Sequence, residues 1–405
     1  SSYSVTGVQT CALPICRGGL GAVMGAKGIK AVIVDQGGGA TVSLADPEGF
    51  KEAAKAFART VKSIPFSGKT LPALGTAGLL GPVNGIGAFP CYNATRGVFD
   101  GQDKINADAL VKTIQARGGK TGHMGCSQCM IRCSNEFVDE QGGFVTSSLE
   151  YETIWATGGM CGIDDLDVIA RLDRLCDDIG VDTMNIGVAV AVAMDAGYCS
   201  FGDAAAALAL VEEIARGTEM GRLVGDGPAA VGAHFGHHRV PVCKNQSIAA
   251  YDPRAIQGMA VTYSTSPMGA DHTAGNLIGD ALAATLDPLS PEGQVEASRD
   301  RQTAVAVLDS LGLCLFTLAA ARASWETVAA LINARLGTRF TRDDVPARWI
   351  EVILAERAFN RKAGLTAKDD RLAGFFYEEP LPPHNKTILV SDRALDEAFE
   401  SLSAA

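Results

Sequence analysis

Three cysteines stand within the short run GCSQCMIRC, at Cys126, Cys129 and Cys133, in the spacing C-x2-C-x3-C. From one short loop and helix start, that spacing lets three thiolates grip three corners of an iron–sulfur cube and leaves one corner to a distant residue. Zinc would also want four N or S ligands, usually in two C-x2-C pairs, and the sequence holds no second pair. Radical enzymes that cleave S-adenosylmethionine use the reverse order, C-x3-C-x2-C; the order here argues against them, though spacing alone does not exclude them. Cys91, Cys161, Cys176, Cys199 and Cys243 have no such grouping and read as small buried hydrophobes.

A second pattern repeats. RLCDDIGVDTM and AVLDSLGLCLF share the frame Asp-x-x-Gly-[Val/Leu]-[Asp/Cys], each at the end of an expected helix. Asp177 and Asp309 therefore fall in a last helical turn, where the macrodipole disfavours a carboxylate by about 0.3–1 kcal/mol. The same unfavourable placement twice suggests that each carboxylate accepts hydrogen bonds from a ligand with adjacent N–H donors, and so a two-fold repeated cofactor. Cys314 closes the second frame and is the natural fourth cluster ligand. One loop would then touch both a cluster and an organic cofactor. The histidines of HFGHH, His234, His237 and His238, are read as a solvated loop rather than a metal patch.

These residues need elements to position them. DPEGFKEAAKAFARTVKS reads as a helix with Asp46 at the N-cap and Pro47 in the first turn. In DDLDVIARLDRLCDDIG the apolar residues Val168, Ile169, Leu172, Leu175, Cys176 and Ile179 follow a 3.6-residue period, with Gly180 where the helix should stop. Further helices are expected over 183–196, 203–216, 280–286, 294–311, 324–336 and 346–362. Lys30–Val34 reads as a short strand. The Gly/Pro-rich text of 70–97 suggests irregular structure packed near a site. Ahead of Lys30, RGGLG forms a turn led by Arg17 that could cradle a phosphate through backbone N–H groups. Alternating strand patterns are scarce after residue 150, so the body is predominantly α.

Composition bounds the rest. The 405 residues, 47% hydrophobic and 20% charged, are ample for a buried core without staples and argue against disorder. A net charge of −11 with no basic arm weakens a nucleic-acid reading, and no run of about 18 apolar residues offers a membrane span. Eleven scattered cysteines point to thiols or metal thiolates in a reducing compartment. Residues 1–15 are set apart: Val5–Ile15, VTGVQTCALPI, is the codon-for-codon translation of a common sequencing-library adapter and is expected to be read-through. That removes Cys11 from the count and places Cys16 at the junction.

Taken together, RGGLGAVMGAKGIKA, CSQCMIRC, EYET, DDIGVD, DPRAIQGMAVTYSTSPMGADH, DSLGLCLF and ERAFNRKAGLTAKDDRL, in that order, resemble the aldehyde ferredoxin oxidoreductases over residues 17 to about 381. The resemblance implies a tungsten or molybdenum ion held by the dithiolenes of two pterins, beside one [4Fe–4S] cluster, with magnesium bridging the pterin phosphates. It assigns Cys126, Cys129, Cys133 and Cys314 to the cluster. It assigns Asp177, Gly180, Val181 and Asp182 to one pterin, Asp309, Gly312 and Leu313 to the other, and Arg17, Gly18 and Gly19 to the phosphates. Glu152 and His272 would lie near the metal, and Tyr251 would line the substrate pocket. A carboxylate there can take a proton from water adding to an aldehyde carbon, while an imidazole or phenol holds the carbonyl oxygen.

The implied protein is a cytoplasmic, oxygen-sensitive oxidoreductase converting small aldehydes to carboxylates, with ferredoxin or a ferredoxin-like Fe–S subunit taking the electrons and a homodimer as the full-length form. A same-family enzyme acting on an aromatic acyl-CoA thioester, or an electron-transfer subunit that keeps the cluster without a working metal–pterin site, are the alternatives. The expected layout is two multihelical domains, 43–245 with the cysteine cluster and first pterin motif and 246–405 with the second motif and Cys314. They are preceded by a remnant, 16–42, of a β-rich pterin-binding domain. The chain is thus expected to be an N-terminally truncated piece that does not by itself hold both pterins securely.

Overall fold

The computed structural model describes residues 17–33, 42–123 and 125–400. The adapter-like segment, Cys16 and Val34 lie outside the described residues.

The architecture is predominantly α, and its helices start and stop where the side chains require. Pro47–Ser63 opens with the Asp46 carboxylate accepting the Gly49 N–H at 2.9 Å, which satisfies one of the orphan donors of a first turn. Leu166–Ile179 ends on Gly180 at φ 85°, and Gln294–Leu311 ends on Gly312 at φ 67°, a left-handed conformation that costs a glycine nothing. Thr183–Asp195, Ala204–Arg216, Trp325–Leu336 and Asp344–Lys362 match the expected helices to within two residues.

Three expectations change. Lys30–Ile33 forms no strand: Val32 and Ile33 are 73% and 91% exposed, and no described strand pairs with the run. The helix expected over 280–286 is the shorter Ile278–Leu282, after which Ala284 turns left-handed at φ 52°. The 70–97 stretch is less irregular than its Gly and Pro content suggests. It winds through short turns, Leu71–Leu74, Thr76–Leu79 and Leu80–Gly85, before the loops begin.

A small antiparallel sheet orders Lys120–His123, Ser134–Val138 and Phe144–Ser147, with Lys120 opposite Glu136 and Glu136 opposite Ser147. The three clustered cysteines lie on the loop joining its first two strands. A two-residue turn, Lys244 and Asn245, both at positive φ, joins the short strands Val242–Cys243 and Gln246–Ser247, the primed-turn geometry of tight hairpins.

Two main cores hold these parts, with a small third cluster of Ala306, Ile353, Ala398 and Phe399 beside them. The larger draws on residues from Ala77 to Leu395 and surrounds Thr183–Asp195, a helix apolar on all sides and buried from Met184 to Met194. The smaller joins Phe57 and Val61, Ile131 of the cysteine loop, Val307 and Leu308 at the end of Gln294–Leu311, and Val328 and Ile332. Cys129, Cys133 and Leu313 pack against it. Burying apolar surface at about 25 cal/mol per Å² is what draws the cysteine loop to the second aspartate frame, far along the chain. Among the described residues no single helix is long and apolar enough to cross a membrane.

One close helix contact supports the site directly. A Cβ on Gly187 would stand 2.5 Å from the Ala156 carbonyl carbon, so Thr183–Asp195 and Tyr151–Thr157 meet backbone to backbone. Gly187→Ala is expected to push them apart and cost about 1–3 kcal/mol. Urea denaturation should then show a lower midpoint with an unchanged slope.

Candidate functional site

Glu152 sits in the first turn of Tyr151–Thr157 and is largely buried. Its Oε2 accepts the Ala250 N–H at 3.0 Å. The strip carrying that N–H is clamped from both sides: Tyr151 donates its hydroxyl to Ala250 O at 2.9 Å, and Tyr263 donates to Tyr251 O at 3.1 Å. Thr76, from the Gly/Pro-rich stretch, fixes the helix start by accepting the Tyr151 N–H at 2.8 Å while its hydroxyl donates to Glu150. Glu152 Oε1 lies 3.4 Å from His272 Nε2, and the Tyr251 ring lies 5.7 Å from the His272 ring. Burial pushes the Glu152 carboxyl upward, with His272 and the Ala250 N–H opposing, as suits a general base. Burial and the Glu152 charge push the Tyr251 phenol well up, against an Asn276 hydrogen bond. The three catalytic candidates, Glu152, His272 and Tyr251, are therefore together.

Arg17 reaches the same place. It donates to Ser247 O at 2.9 Å and Ala270 O at 2.5 Å, with Asp182 at 3.5 Å and Asp271 at 3.8 Å. Gly18 and Gly19 turn at φ 96° and 72°, and a Cβ on Gly18 would meet the Met268 sulfur at 3.0 Å. Asp182 spends its carboxylate as the N-cap of Thr183–Asp195, accepting Met184 N–H and Asn185 N–H. Asp177 and Asp309 occupy matching positions. The Val181 N–H returns to Cys176 O at 3.0 Å and the Leu313 N–H to Leu308 O at 2.9 Å, closing the same motif around Gly180 and Gly312. Both aspartates are exposed on one side, and neither carboxylate has a hydrogen-bond partner among the described residues. Burial raises both; Asp178 adds to Asp177 against the opposing Arg174, and Asp271 adds to Asp309.

Arg17 Nε, Glu152 Oε1, His272 Nδ1 and Ser247 Oγ are buried without a hydrogen-bond partner. Each such orphan costs about 1–3 kcal/mol unless something bonds it. The mix of a cationic donor, a carboxylate oxygen, an imidazole nitrogen and a hydroxyl fits a polar, anionic cofactor together with a small oxygenated substrate.

The cysteine loop contains two non-glycine residues in the left-handed region, Gln128 at φ 57° and Arg132 at φ 59°, a strain found where a site over-determines its backbone. The Cys129 N–H reaches Cys126 O at 3.2 Å, and Cys129 Sγ accepts the Arg132 N–H at 3.3 Å. Cys314 stands close enough that its charge acts on Cys133, and those of Cys126 and Cys129 act on it. Burial, then Glu150 and the neighbouring thiols, push Cys133 up to about 12. Burial likewise raises Cys314, and a cationic core at this place would favour the thiolates of both. Among the described residues no three His, Cys, Asp or Glu side chains close around a single ion; a cubane, with one thiolate per corner, does not need them to.

The family model for aldehyde ferredoxin oxidoreductase, domains 2 and 3, matches residues 52–402. The chain belongs to the aldehyde ferredoxin oxidoreductase family. Tungsten-containing aldehyde ferredoxin oxidoreductases of Pyrococcus furiosus and Thermococcus kodakarensis are 31% and 32% identical over 393 and 387 residues, each match covering 90% of this chain. The chain spans 62% of the length of these relatives. The active-site complex BamBC of benzoyl coenzyme A reductase shares the fold, with a TM-score of 0.70 at 15% identity over 95% of this chain and 66% of that one.

Within this family member, sequence reasoning missed several supporting residues. Asp271 precedes His272, lies beside Arg17, and is held by the Thr273 N–H and hydroxyl at 3.0 and 2.7 Å; its place in GADH was the available signal. Asn276 and Thr76 gave none. HFGHH is solvated at His234 and His238, but His237 and His238 also enter a charged network. His237 meets Asp195 at 2.7 Å and His238 meets Glu379 at 2.8 Å, with Arg239 bridging both carboxylates, because three charged partners converge there from distant segments.

Behind the first aspartate frame, Asp173 is buried and accepts the Thr146 hydroxyl at 2.6 Å. Burial pushes it up to about 7, with Asp177 and Glu150 adding to the rise and Thr146 opposing. A carboxyl raised on folding favours the folded state at low pH, and that contribution is lost as pH climbs from about 4 to about 7. Asp173→Asn is expected to flatten the fall in stability across this window and to stabilise the protein at pH 8 by on the order of 2–4 kcal/mol. Denaturation curves at pH 4, 6 and 8 check it.

Proposed function

We propose that this chain is the helical, cluster-bearing part of an enzyme that oxidises aldehydes to carboxylic acids at a tungsten, or molybdenum, bis-pterin centre. The observation that carries the reading is the buried Glu152 carboxylate, 3.4 Å from His272 and beside Tyr251, in a chain of this family. In this reading Cys126, Cys129, Cys133 and Cys314 hold a [4Fe–4S] cluster. Asp177, Gly180, Val181 and Asp182 meet one pterin, Asp309, Gly312 and Leu313 the other, and Arg17, Gly18 and Gly19 the phosphates, with magnesium between them. The division into 43–245 and 246–405 gives each half one aspartate frame.

The reaction converts an aldehyde and water to a carboxylic acid, two protons and two electrons. Glu152 Oε2 is occupied by the Ala250 N–H, which leaves Oε1 to receive a proton from the attacking water. His272 and Tyr251 orient the carbonyl oxygen, and the apolar packing around them limits bulk water. When bound, the metal–pterin group would supply a two-electron acceptor, and a cluster held by Cys126, Cys129, Cys133 and Cys314 a one-electron relay toward ferredoxin or a ferredoxin-like subunit. A cytoplasmic homodimer of the full-length protein belongs to the same proposal.

Anaerobically purified full-length holoenzyme is expected to contain about four irons per chain together with tungsten or molybdenum, and Cys314→Ser to lower the iron content. Iron without either heavier metal would favour an electron-transfer subunit instead, and no iron would overturn both. Glu152→Gln is expected to reduce kcat by about 10²–10⁴-fold with little change in KM. An unchanged kcat in steady-state aldehyde oxidation removes Glu152 from the base role.

A further inference from the structure

The geometry points to a clamp, formed by Lys244, Asp370, Arg357 and Asn360, that positions His272 by gripping the backbone of the loop that carries it. This rests on the reading of His272 and Glu152 as partners in the site. The Gln257–Thr265 helix ends at Ser266, and Pro267 has no N–H to offer, so the carbonyls of its last turn need donors from elsewhere. Lys244 Nζ donates to Ser264 O at 2.6 Å, Arg357 to Thr265 O at 2.7 Å, and Asn360 Nδ2 to Pro267 O at 2.7 Å. Asp370 ties the two cations together, 2.5 Å from Lys244 Nζ and 2.8 Å from Arg357. All three charged side chains are largely buried, Lys244 to 6% exposure.

The grip continues to the histidine. Arg17 takes Ala270 O, and the Asp271 N–H closes on Gly269 O at 2.6 Å. Thus every carbonyl-holding side chain from 264 to 270 comes from another part of the chain. Cationic donors at a helix C-terminus also gain from the macrodipole. Two cations neutralised by one carboxylate fix the helix end, and Asn360, donating beyond it to Pro267 O, carries the grip into the loop. Arg357, Asn360 and Asp370 line a cavity of about 380 Å³ that Glu152, His272, Tyr251 and Arg17 do not line. They act on the site through the loop and are positioning residues. The groups facing His272 are Glu152, Asp271 and Tyr251, with Arg17 beyond Asp271.

The test uses the chain itself, with ring-labelled histidine followed by NMR and backbone exchange followed by mass spectrometry. In the unaltered chain, Glu152→Gln is expected to move the His272 ring signal. In the Asp370→Asn background that same substitution is expected to move it far less, while amides of 266–272 exchange about tenfold faster and those of Thr183–Asp195 do not change. Asn360→Ala, which breaks no ion pair, should give a smaller change of the same kind, and Asp370→Glu should restore part of the coupling. If Glu152→Gln leaves the His272 signal unmoved in the unaltered chain, the pairing of Glu152 with His272 fails. If the coupling is present but survives both Asp370→Asn and Asn360→Ala with loop exchange unchanged, the clamp is overturned and the contacts only cap a helix.

Discussion

A buried carboxylate with one backbone N–H for support is the constraint around which the molecule is arranged. Taking Glu152 out of water costs several kcal/mol unless donors are fixed in advance. The structure supplies them indirectly: Tyr151 and Tyr263 immobilise the 250–251 backbone, and that backbone presents Ala250 N–H to Glu152. The helix bearing Glu152 is held by Thr76 at its start and by the Gly187 contact along its length. Little of this is chemistry in itself. All of it determines where one oxygen points.

The second constraint joins residues remote in sequence. Cys129 and Cys133 pack on the same small core as Leu313, to which the helices Pro47–Ser63 and Trp325–Leu336 contribute without touching Glu152 or His272 in the hydrogen-bond network. The cysteine loop and the second aspartate frame therefore share a foundation. The buried DPR segment plays a comparable part in the larger core, where Arg254 grips Asp252 and donates to Ala94 O and Glu379 O.

Much of this was legible in the residues. Asp46 with Pro47, and the glycines at 180 and 312, specify helix ends through local chemistry, and local chemistry is what a sequence displays. The equivalence of the frames at Asp177 and Asp309 was readable for the same reason and extends to their closing hydrogen bonds. What stayed hidden depends on pairs far apart: Thr76 with Glu150, Lys244 with Asp370, His237 with Asp195. Nothing in the spacing of either partner announces the other. Lys30–Ile33 failed in the opposite sense, since β-branched residues state a preference that only a neighbouring strand can fulfil.

The contact at Gly187 bears on how such a site diversifies. At Gly187 the two helices meet main chain to main chain, with the Thr153–Thr183 hydroxyl contact at 2.9 Å nearby, so any side chain at 187 forces them apart. Variation that preserves the acid's position must instead arise at side chains around the site outside the stretch gripped by Lys244, Arg357, Asn360 and Arg17. The crossing and the gripped loop together fix the geometry of the reaction, and a change of substrate falls to residues outside both.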